Sequence, residues 1–194
     1  MKYATIVTLC LILVAGFGCT PKQQTPPSEI DKAAVIDRPA ILLEAKRSGL
    51  IMNDEEILRM TDPNLQEKSD GAAAQNLSTQ KTDTWKSAAL ADVTTGGSFG
   101  LAHATFQNGS YLLVSKMGNL PEPQNGFFYE GWIVRRGDVM RVMSLGRAQL
   151  VENQYVITFR SRVDLSDHDF FVLTLEPSDN NPVPAEHILE GMFR

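Results

Sequence analysis

Cysteine and excess positive charge are scarce in this chain, and the lack of each excludes a class of function. Cysteine occurs only as Cys10 and Cys19, so the chain beyond Cys19 has no disulfide, no thiolate nucleophile and no cysteine metal site. Positive charge is also limited, because 18 lysines and arginines stand against 23 acidic residues, a net charge of −5. No run of adjacent basic residues is longer than two. We therefore expect no nucleic-acid partner.

A long uncharged apolar run occurs only at the start of the chain, from Ala4 to Phe17. It is shorter than the roughly 20 apolar residues of a membrane-spanning helix and follows a basic n-region, as in a signal peptide. The residues "GFGC" that end it resemble a bacterial lipobox: Gly18 fits the small residue before the cleaved bond, whereas Gly16 replaces the usual leucine. Residues 1–18 are thus a predicted signal peptide.

The resemblance to a lipobox implies that Cys19 carries lipid and becomes the mature N-terminus. Several acyl chains together make a stable membrane anchor. We therefore predict a protein exported by a bacterium and held by lipid on the extracytoplasmic side of its cell envelope. The alternative is ordinary cleavage after Gly18, which leaves an exported free thiol. In both cases Cys10 leaves with the signal peptide.

The next part of the chain alternates between polar segments and a short helical one. Residues 19–36 are rich in Thr, Pro, Gln and Ser and predict a tether, and residues 62–87 predict a second linker by the same composition. Between them, residues 37–61 predict a pair of short helices separated by a glycine. Asp37 is a plausible N-cap of the first helix, and Asn53 begins a capping box in the second.

Residues 88–194 change to a period of two, which is typical of strands. The clearest case is "YVITFRS", residues 155–161, in which alternate side chains face opposite sides. Turn signals such as Asn108-Gly109 and Asn125-Gly126 separate the candidate strands. About seven or eight short strands without long helical segments predict an all-β fold, an antiparallel β-sandwich. The short helical pair and the linkers precede it.

Two stretches of this domain, "GNLPEPQNGFFYEGWIV" and "FFVLTLEPSDNNPVP", resemble the C-terminal extracytoplasmic domain of the anti-sigma-K factors. The resemblance extends from about residue 93 to residue 193. It implies a similar fold and an extracytoplasmic setting. The matching positions are Leu120, Pro121, Tyr129, Trp132, Gly137, Thr174, Leu175, Glu176, Pro177, Pro182 and Pro184.

The sequence also departs from that family. Gly131 replaces a larger residue, and Asp179-Asn180 replaces a glycine-rich turn. No segment resembles the family's sigma-binding domain or its transmembrane helix, so we expect no sigma factor as partner. We interpret the shared residues structurally: Tyr129 and Trp132 belong to the core strand, with Trp132 as a core anchor, while Glu176 and Pro177 end a strand.

Three features could carry chemistry, and each has a simpler interpretation. "GGSFG" around Ser98 fits the serine-hydrolase pattern, but a strand-like segment follows where the pattern needs a helix. "SDHD" clusters Asp167, His168 and Asp169, which could bind a divalent cation, but a solvated turn explains it better. His103 is expected to be a half-buried sheet residue. We predict no catalytic residue, no metal and no cofactor.

The favoured function is therefore a non-enzymatic envelope lipoprotein that senses or binds an envelope or extracellular protein. The candidate binding loops are the hairpin of Arg136 and Asp138 and the turn at Asn180, since loops on a rigid scaffold commonly carry recognition. Two alternatives stay open. One is an envelope enzyme, a hydrolase or metal-dependent activity that uses Ser98 or the 167–169 cluster. The other is adhesion through the Arg-Gly-Asp tripeptide at 136–138.

Overall fold

The computed structural model describes residues 37–74 and 76–194, so the predicted signal peptide, Cys19 and the tether lie outside the described residues. Two α-helices and eleven β-strands make up this part of the chain, with short 3-10 helices at Pro63–Leu65 and Leu77–Thr79. The elements are α1 (Arg38–Arg47), α2 (Asp54–Met60), β1 (Gln66–Glu67), β2 (Ala72–Ala73), β3 (Lys86–Asp92), β4 (Phe99–Gln107), β5 (Ser110–Gly118), β6 (Phe127–Arg135), β7 (Arg141–Arg147), β8 (Gln149–Val151), β9 (Gln154–Ser161), β10 (Phe170–Pro177) and β11 (Glu186–Met192).

Both helices begin at the residues that the sequence indicates. The Asp37 side chain accepts a hydrogen bond from the Ala40 amide at 3.2 Å. Asn53 and Glu56 form a reciprocal capping box, with both bonds at 3.0 Å. Gly49, which follows α1, has a positive φ of 70° and turns the chain between the helices. The predicted helical pair is confirmed by these caps.

All strands belong to one sheet, which runs in the order β1-β7-β6-β10-β11-β3-β4-β5-β9-β2, with β8 also paired to β9. Every pairing is antiparallel except that of β1 with β7. Eight strands have seven to nine residues, and the other three have two or three. The all-β antiparallel prediction is confirmed.

The sheet curls until its two halves face each other, which encloses the main core within a single sheet. A side chain at Gly131 on β6 would collide with Ile157 on β9, on the opposite half. Glycine at this position therefore lets the two halves approach closely. The main core includes large side chains from both halves, among them Tyr111, Leu113, Ile133, Phe159, Phe171 and Leu173.

The segment before β3 covers both outer faces of the curled sheet, and we call residues 37–74 and 76–85 the N-terminal wrap. On one half, Met52 and Met60 pack in a second buried cluster with Trp132 and Phe170. On the other half, Leu77 and Trp85 cover Leu112 and Val114 of β5. None of the helices in the described ranges is long and apolar enough to cross a membrane.

The prediction that residues 62–87 form a linker is corrected by the structure, in which this segment contains two short strands. Gln66 and Glu67 form β1 on the edge of β7, and Ala72 and Ala73 form β2 on the edge of β9. These strands attach through backbone hydrogen bonds, which every residue type except proline can both donate and accept. A two-residue strand leaves no hydrophobic alternation in the sequence, so composition alone indicated a linker.

Candidate functional site

The residues of the two motifs that resemble anti-sigma-K factors make internal contacts. The Tyr129 hydroxyl donates to the Pro121 carbonyl at 3.0 Å, and burial raises the pKa of Tyr129 to about 12. The Trp132 indole N–H donates to Thr174 Oγ1 at 2.8 Å. Glu176 is buried and accepts a hydrogen bond from the Ala185 amide at 2.8 Å. The bond from Trp132 to Thr174 therefore connects the two motifs across β6 and β10, whereas the bonds of Tyr129 and Glu176 hold the chain next to each motif.

Pro177 is the last residue of β10 and lies opposite Phe127 on β6. The turn that follows contains Asn180, which is exposed and has a positive φ of 61°. Asparagine tolerates this left-handed conformation better than most residues. The turn at Asn180 is therefore an open surface, as a binding loop requires.

The hairpin of Arg136 and Asp138 is in contact with the wrap, which corrects part of the prediction. The Arg136 guanidinium lies 4.3 Å from the centre of the Phe170 ring and donates to the Gly49 carbonyl at 2.9 Å. Only 14 % of the Arg136 side chain is exposed. Arg59 of α2 donates to the carbonyls of Gly137 and Asp138. Arg136 thus fastens the wrap to the sheet and is covered, whereas Asp138 is exposed.

Ser98 lies between β3 and β4, so no helix follows it. Its hydroxyl donates to the Asn119 carbonyl at 3.0 Å, and its amide donates to Asp92 at 2.8 Å. Although burial acts to raise the pKa of Asp92, hydrogen bonds from Thr94 and Ser98 outweigh it and hold the pKa below the ordinary value. The "GGSFG" stretch is therefore a turn organised by Asp92.

The 167–169 cluster is more ordered than the predicted solvated turn. His168 is buried, with Nδ1 2.9 Å from Asp167 and Nε2 3.3 Å from Glu67 of β1. Arg135 pairs with Asp167, and Arg141 pairs with Glu67. Burial acts to raise the pKa of Asp167, but hydrogen bonds from Arg135 and His168 lower it overall. This network holds β1 against the sheet.

Within residues 37–74 and 76–194, no group of three or more histidine, cysteine or carboxylate side chains has the geometry to hold a metal ion. His103, the other histidine considered above, is half-buried on β4 and pairs with Val114 of β5. Its Nδ1 is buried and has no hydrogen-bond partner in the described part of the chain, and desolvation lowers its pKa.

A buried histidine–carboxylate pair on β11 was missed by the sequence analysis. His187 Nδ1 lies 2.7 Å from Glu190 Oε1, and Glu190 Oε2 accepts the Met52 amide at 2.6 Å. Both side chains line a cavity of about 250 Å³ beside the wrap. Residues three apart on a regular strand face opposite sides. An irregular register places Thr174 opposite His187, directly after Leu173 opposite Leu189, and no sequence signal marks this shift.

An opening near the sheet edges lies between β2 and β7, and we call it the edge cleft. Its volume is about 710 Å³. One side is the segment from Gly71 to Ala74, and the other is the segment from Ser144 to Arg147. The remaining lining residues are Ser69, Asn76, Ser78, Gln149, Val151, Val156, Thr158 and Phe159.

The edge cleft has two strand edges that are only partly paired. In the described part of the chain, β1 is the strand on the outer edge of β7, and its register covers only Val142 and Met143. The rest of that edge, from Ser144, faces the cleft. On the other side, β2 is the last strand of the sheet order. The cleft therefore presents strand edges from both ends of one sheet.

The side chains of the edge cleft suit binding better than catalysis. Its described lining contains no histidine, carboxylate, cysteine or lysine, and these are the groups that ordinarily transfer protons or attack substrates. Leu145, Val156 and Phe159 supply apolar surface, while Ser144 and Arg147 supply polar groups. A mixed lining of this kind, with strand edges at both sides, can hold a polypeptide.

Sequence reasoning did not find the edge cleft, because it depends on which strands end the sheet. Strand order is a property of the folded chain, and the two-residue strands that flank the cleft have no periodic signal. Comparison with protein-family models, with curated proteins and with solved structures gives no match to this chain. The resemblance to anti-sigma-K factors stays a prediction from the two motifs.

Proposed function

We propose that this protein is a non-enzymatic interaction module of the bacterial envelope, anchored by lipid on Cys19. Its β-domain is similar to the C-terminal domain of the anti-sigma-K factors and binds or senses an envelope or extracellular protein. The apolar run that ends at Cys19 supports export and the anchor. The two sequence motifs support the family resemblance.

The single observation that carries a binding function is the edge cleft. It is about 710 Å³ in volume and has polar, apolar and backbone surfaces, but no proton-transfer group in its described lining. The candidates for catalysis are engaged elsewhere: Ser98 donates to a backbone carbonyl, and His168 lies between two carboxylates. An enzyme needs several reactive groups around one open site. The edge cleft is large enough to hold a ligand, but its described lining lacks the histidine, carboxylate, cysteine and lysine side chains that such a site would need.

A photo-crosslinking experiment in the native envelope tests this proposal. A benzophenone amino acid replaces Gln149, which is exposed and lines the cleft. The matched control places the same amino acid at Ala91, which is exposed on β3 outside the cleft lining. We expect a discrete covalent product with another protein from position 149 and not from position 91. The absence of any product, or the same products from both positions, would contradict the interaction module.

The anchor is tested separately by the substitution Cys19→Ser. A serine cannot receive the thioether-linked lipid, so the exported protein should move from the membrane fraction to the soluble exported fraction. Fractionation followed by immunoblotting measures this shift, and Cys10→Ser serves as the matched control. Retention of Cys19→Ser in the membrane fraction would contradict the lipid anchor and would leave the binding function of the domain unaffected.

A further inference from the structure

The outer edge of β7 already binds one extended segment, which indicates what else it can bind. Gln66 and Glu67 of the wrap lie on this edge as a parallel strand, opposite Val142 and Met143. Beyond them the wrap leaves the edge and crosses to β9, where Ala72 and Ala73 pair with Phe159 and Arg160. The edge of β7 therefore continues past β1 without a paired strand among the described residues.

An unpaired strand edge offers a row of backbone donors and acceptors, and an extended peptide is the ligand that matches this row. The side chains along the opening leave room for another backbone. Gly146 has a positive φ of 90°, and apart from its chain neighbours no atom of residues 37–74 and 76–194 lies within 4 Å of where its side chain would be. On the opposite side, Ala72 and Ala73 are exposed and small.

The two faces of the β7 edge select different side chains. Leu145 belongs to the main core, as does Phe159 on β9, so side chains that point inward from an added strand meet apolar surface. Ser144 donates to Glu130 on the outer face, and Arg147 stacks on Phe128 with its charge exposed. Side chains that point outward therefore meet polar groups and water.

We propose that the edge cleft binds an extended segment of another protein by adding it as a strand to β7, between β7 and β2. The segment has alternating apolar and polar residues, and its apolar side chains point toward Leu145 and Phe159. It has no proline at the positions whose amides donate to β7. This inference rests on the proposed interaction function and adds the mode of binding and the chemistry of the partner. The first part of the predicted tether, residues 19–27, fits poorly, because Pro21, Pro26 and Pro27 lack amide protons.

The test uses a library of displayed linear peptides of about eight residues, somewhat longer than a typical strand. Peptides are selected on the protein from residue 37 onward and counter-selected on the variant Ala73→Trp, which fills the cleft beside β2. The matched control is Ala91→Trp, an exposed alanine on β3. Thermal unfolding of both variants verifies that they are folded. Hydrogen exchange then locates each selected peptide on the wild-type protein.

We expect selected peptides with alternating apolar residues that bind the wild type and Ala91→Trp equally, and Ala73→Trp at least about tenfold more weakly. Binding should slow amide exchange in residues 144–147. Methylation of the peptide amides on one edge should abolish binding, because these amides make the backbone bonds. Peptides that are insensitive to methylation of either edge, or that protect other strands, would overturn strand addition.

The remaining outcomes separate the mode of binding from the proposed function. Position 149 can give crosslinks while no selected peptide protects residues 144–147 from exchange. That result would overturn strand addition and would still support the interaction module. Absence of crosslinks would contradict the interaction module itself. Sedimentation of the wild type tests whether a second copy of this chain occupies the edge cleft. A dimer that Ala73→Trp abolishes would mean that the cleft serves self-association and not a different protein.

Discussion

Trp132 connects two strands and a buried cluster through a single side chain. It lies in the second cluster with Met52 and Met60 of the wrap, and its indole N–H donates to Thr174. The ring thus contributes packing and a buried hydrogen bond together. Removing the side chain loses both and leaves a cavity, whereas phenylalanine loses mainly the hydrogen bond and part of the volume.

We therefore predict that Trp132→Ala lowers the free energy of unfolding by about 3–5 kcal/mol and that Trp132→Phe lowers it by less. Val139→Ala, at an exposed position, should change it by under about 0.5 kcal/mol. Urea denaturation of the protein from residue 37 onward, followed by circular dichroism, measures these values. Equal effects of Trp132→Ala and Val139→Ala would contradict a core role for Trp132.

The hydrogen bonds of Asp92 predict that the turn before β4 is sensitive to acid. Its carboxylate accepts hydrogen bonds from Thr94 and Ser98, which together hold its pKa below the ordinary value despite burial. A carboxyl group with a lowered pKa in the folded state stabilises the fold above the unfolded-state pKa. This contribution is lost as the pH falls through the folded-state value.

We predict that Asp92→Asn is less stable than the wild type at neutral pH and that the difference narrows below about pH 4. The reason is that protonation of Asp92 removes the same negative charge from the wild type. Unfolding free energies measured between neutral pH and pH 2 test this, with the exposed Asp138→Asn as control. Parallel curves for wild type and Asp92→Asn would show that Asp92 does not contribute to acid sensitivity.

At the level of elements, the α1–α2 hairpin is held to the sheet by few but well-defined contacts. Arg136 binds the Gly49 carbonyl and stacks on Phe170, and buried Glu190 accepts the Met52 amide. Helix α1 itself has no buried residue. The attachment of the hairpin therefore depends on its turn and on α2 more than on α1.

We predict that Arg136→Ala lowers the local opening free energy of residues 48–60 by about 2 kcal/mol, because it removes a charged hydrogen bond and a cation–π contact. Amide exchange should become faster in α2 and in the preceding turn, while β5 and β10 keep their protection. Arg162→Ala, at an exposed position, is the control. Unchanged exchange in α2 would mean that Arg136 does not hold the hairpin.

The elements that the sequence predicted are those with strong local signals. The caps at Asp37 and Asn53 depend on neighbouring residues, and the long strands depend on alternation, so both are readable from the chain. Arg136 was interpreted as a surface residue because its partners, Gly49 and Phe170, are distant in sequence. The pair of His187 and Glu190 was missed for a different reason: the two residues are close in sequence, but a register shift without a local signal places them on one face.

At the scale of the whole molecule, the N-terminal wrap is part of the folding unit. Residues 37–194 form one compact unit, in which the wrap covers both outer faces of the sheet and pairs with the edges of β7 and β9. The polar composition of residues 62–87 predicted a linker between the helical pair and the β-domain. Its few buried side chains, among them Met60 and Trp85, carry the packing.

Removal of the wrap tests this interpretation of the molecule. A fragment of residues 86–194 loses Met52, Met60, Leu77 and Trp85, which uncovers both outer clusters, and each such buried apolar side chain contributes about 1.5–3 kcal/mol. Since small domains have only about 5–15 kcal/mol of net stability, the fragment should unfold at a much lower temperature or aggregate through its exposed edges.

The matched control is a fragment of residues 48–194, which lacks only α1 and therefore loses no buried side chain. Scanning calorimetry and sedimentation should show that this control stays monomeric and unfolds within a few degrees of the protein that begins at residue 37. If residues 86–194 unfold at the same temperature as the control, the wrap is an attached linker, as its composition indicates. A large loss of thermal stability in the shorter fragment alone means that the polar wrap completes the fold through five buried apolar side chains, Ile51 being the fifth. It also means that the edge cleft exists only while the wrap is in place.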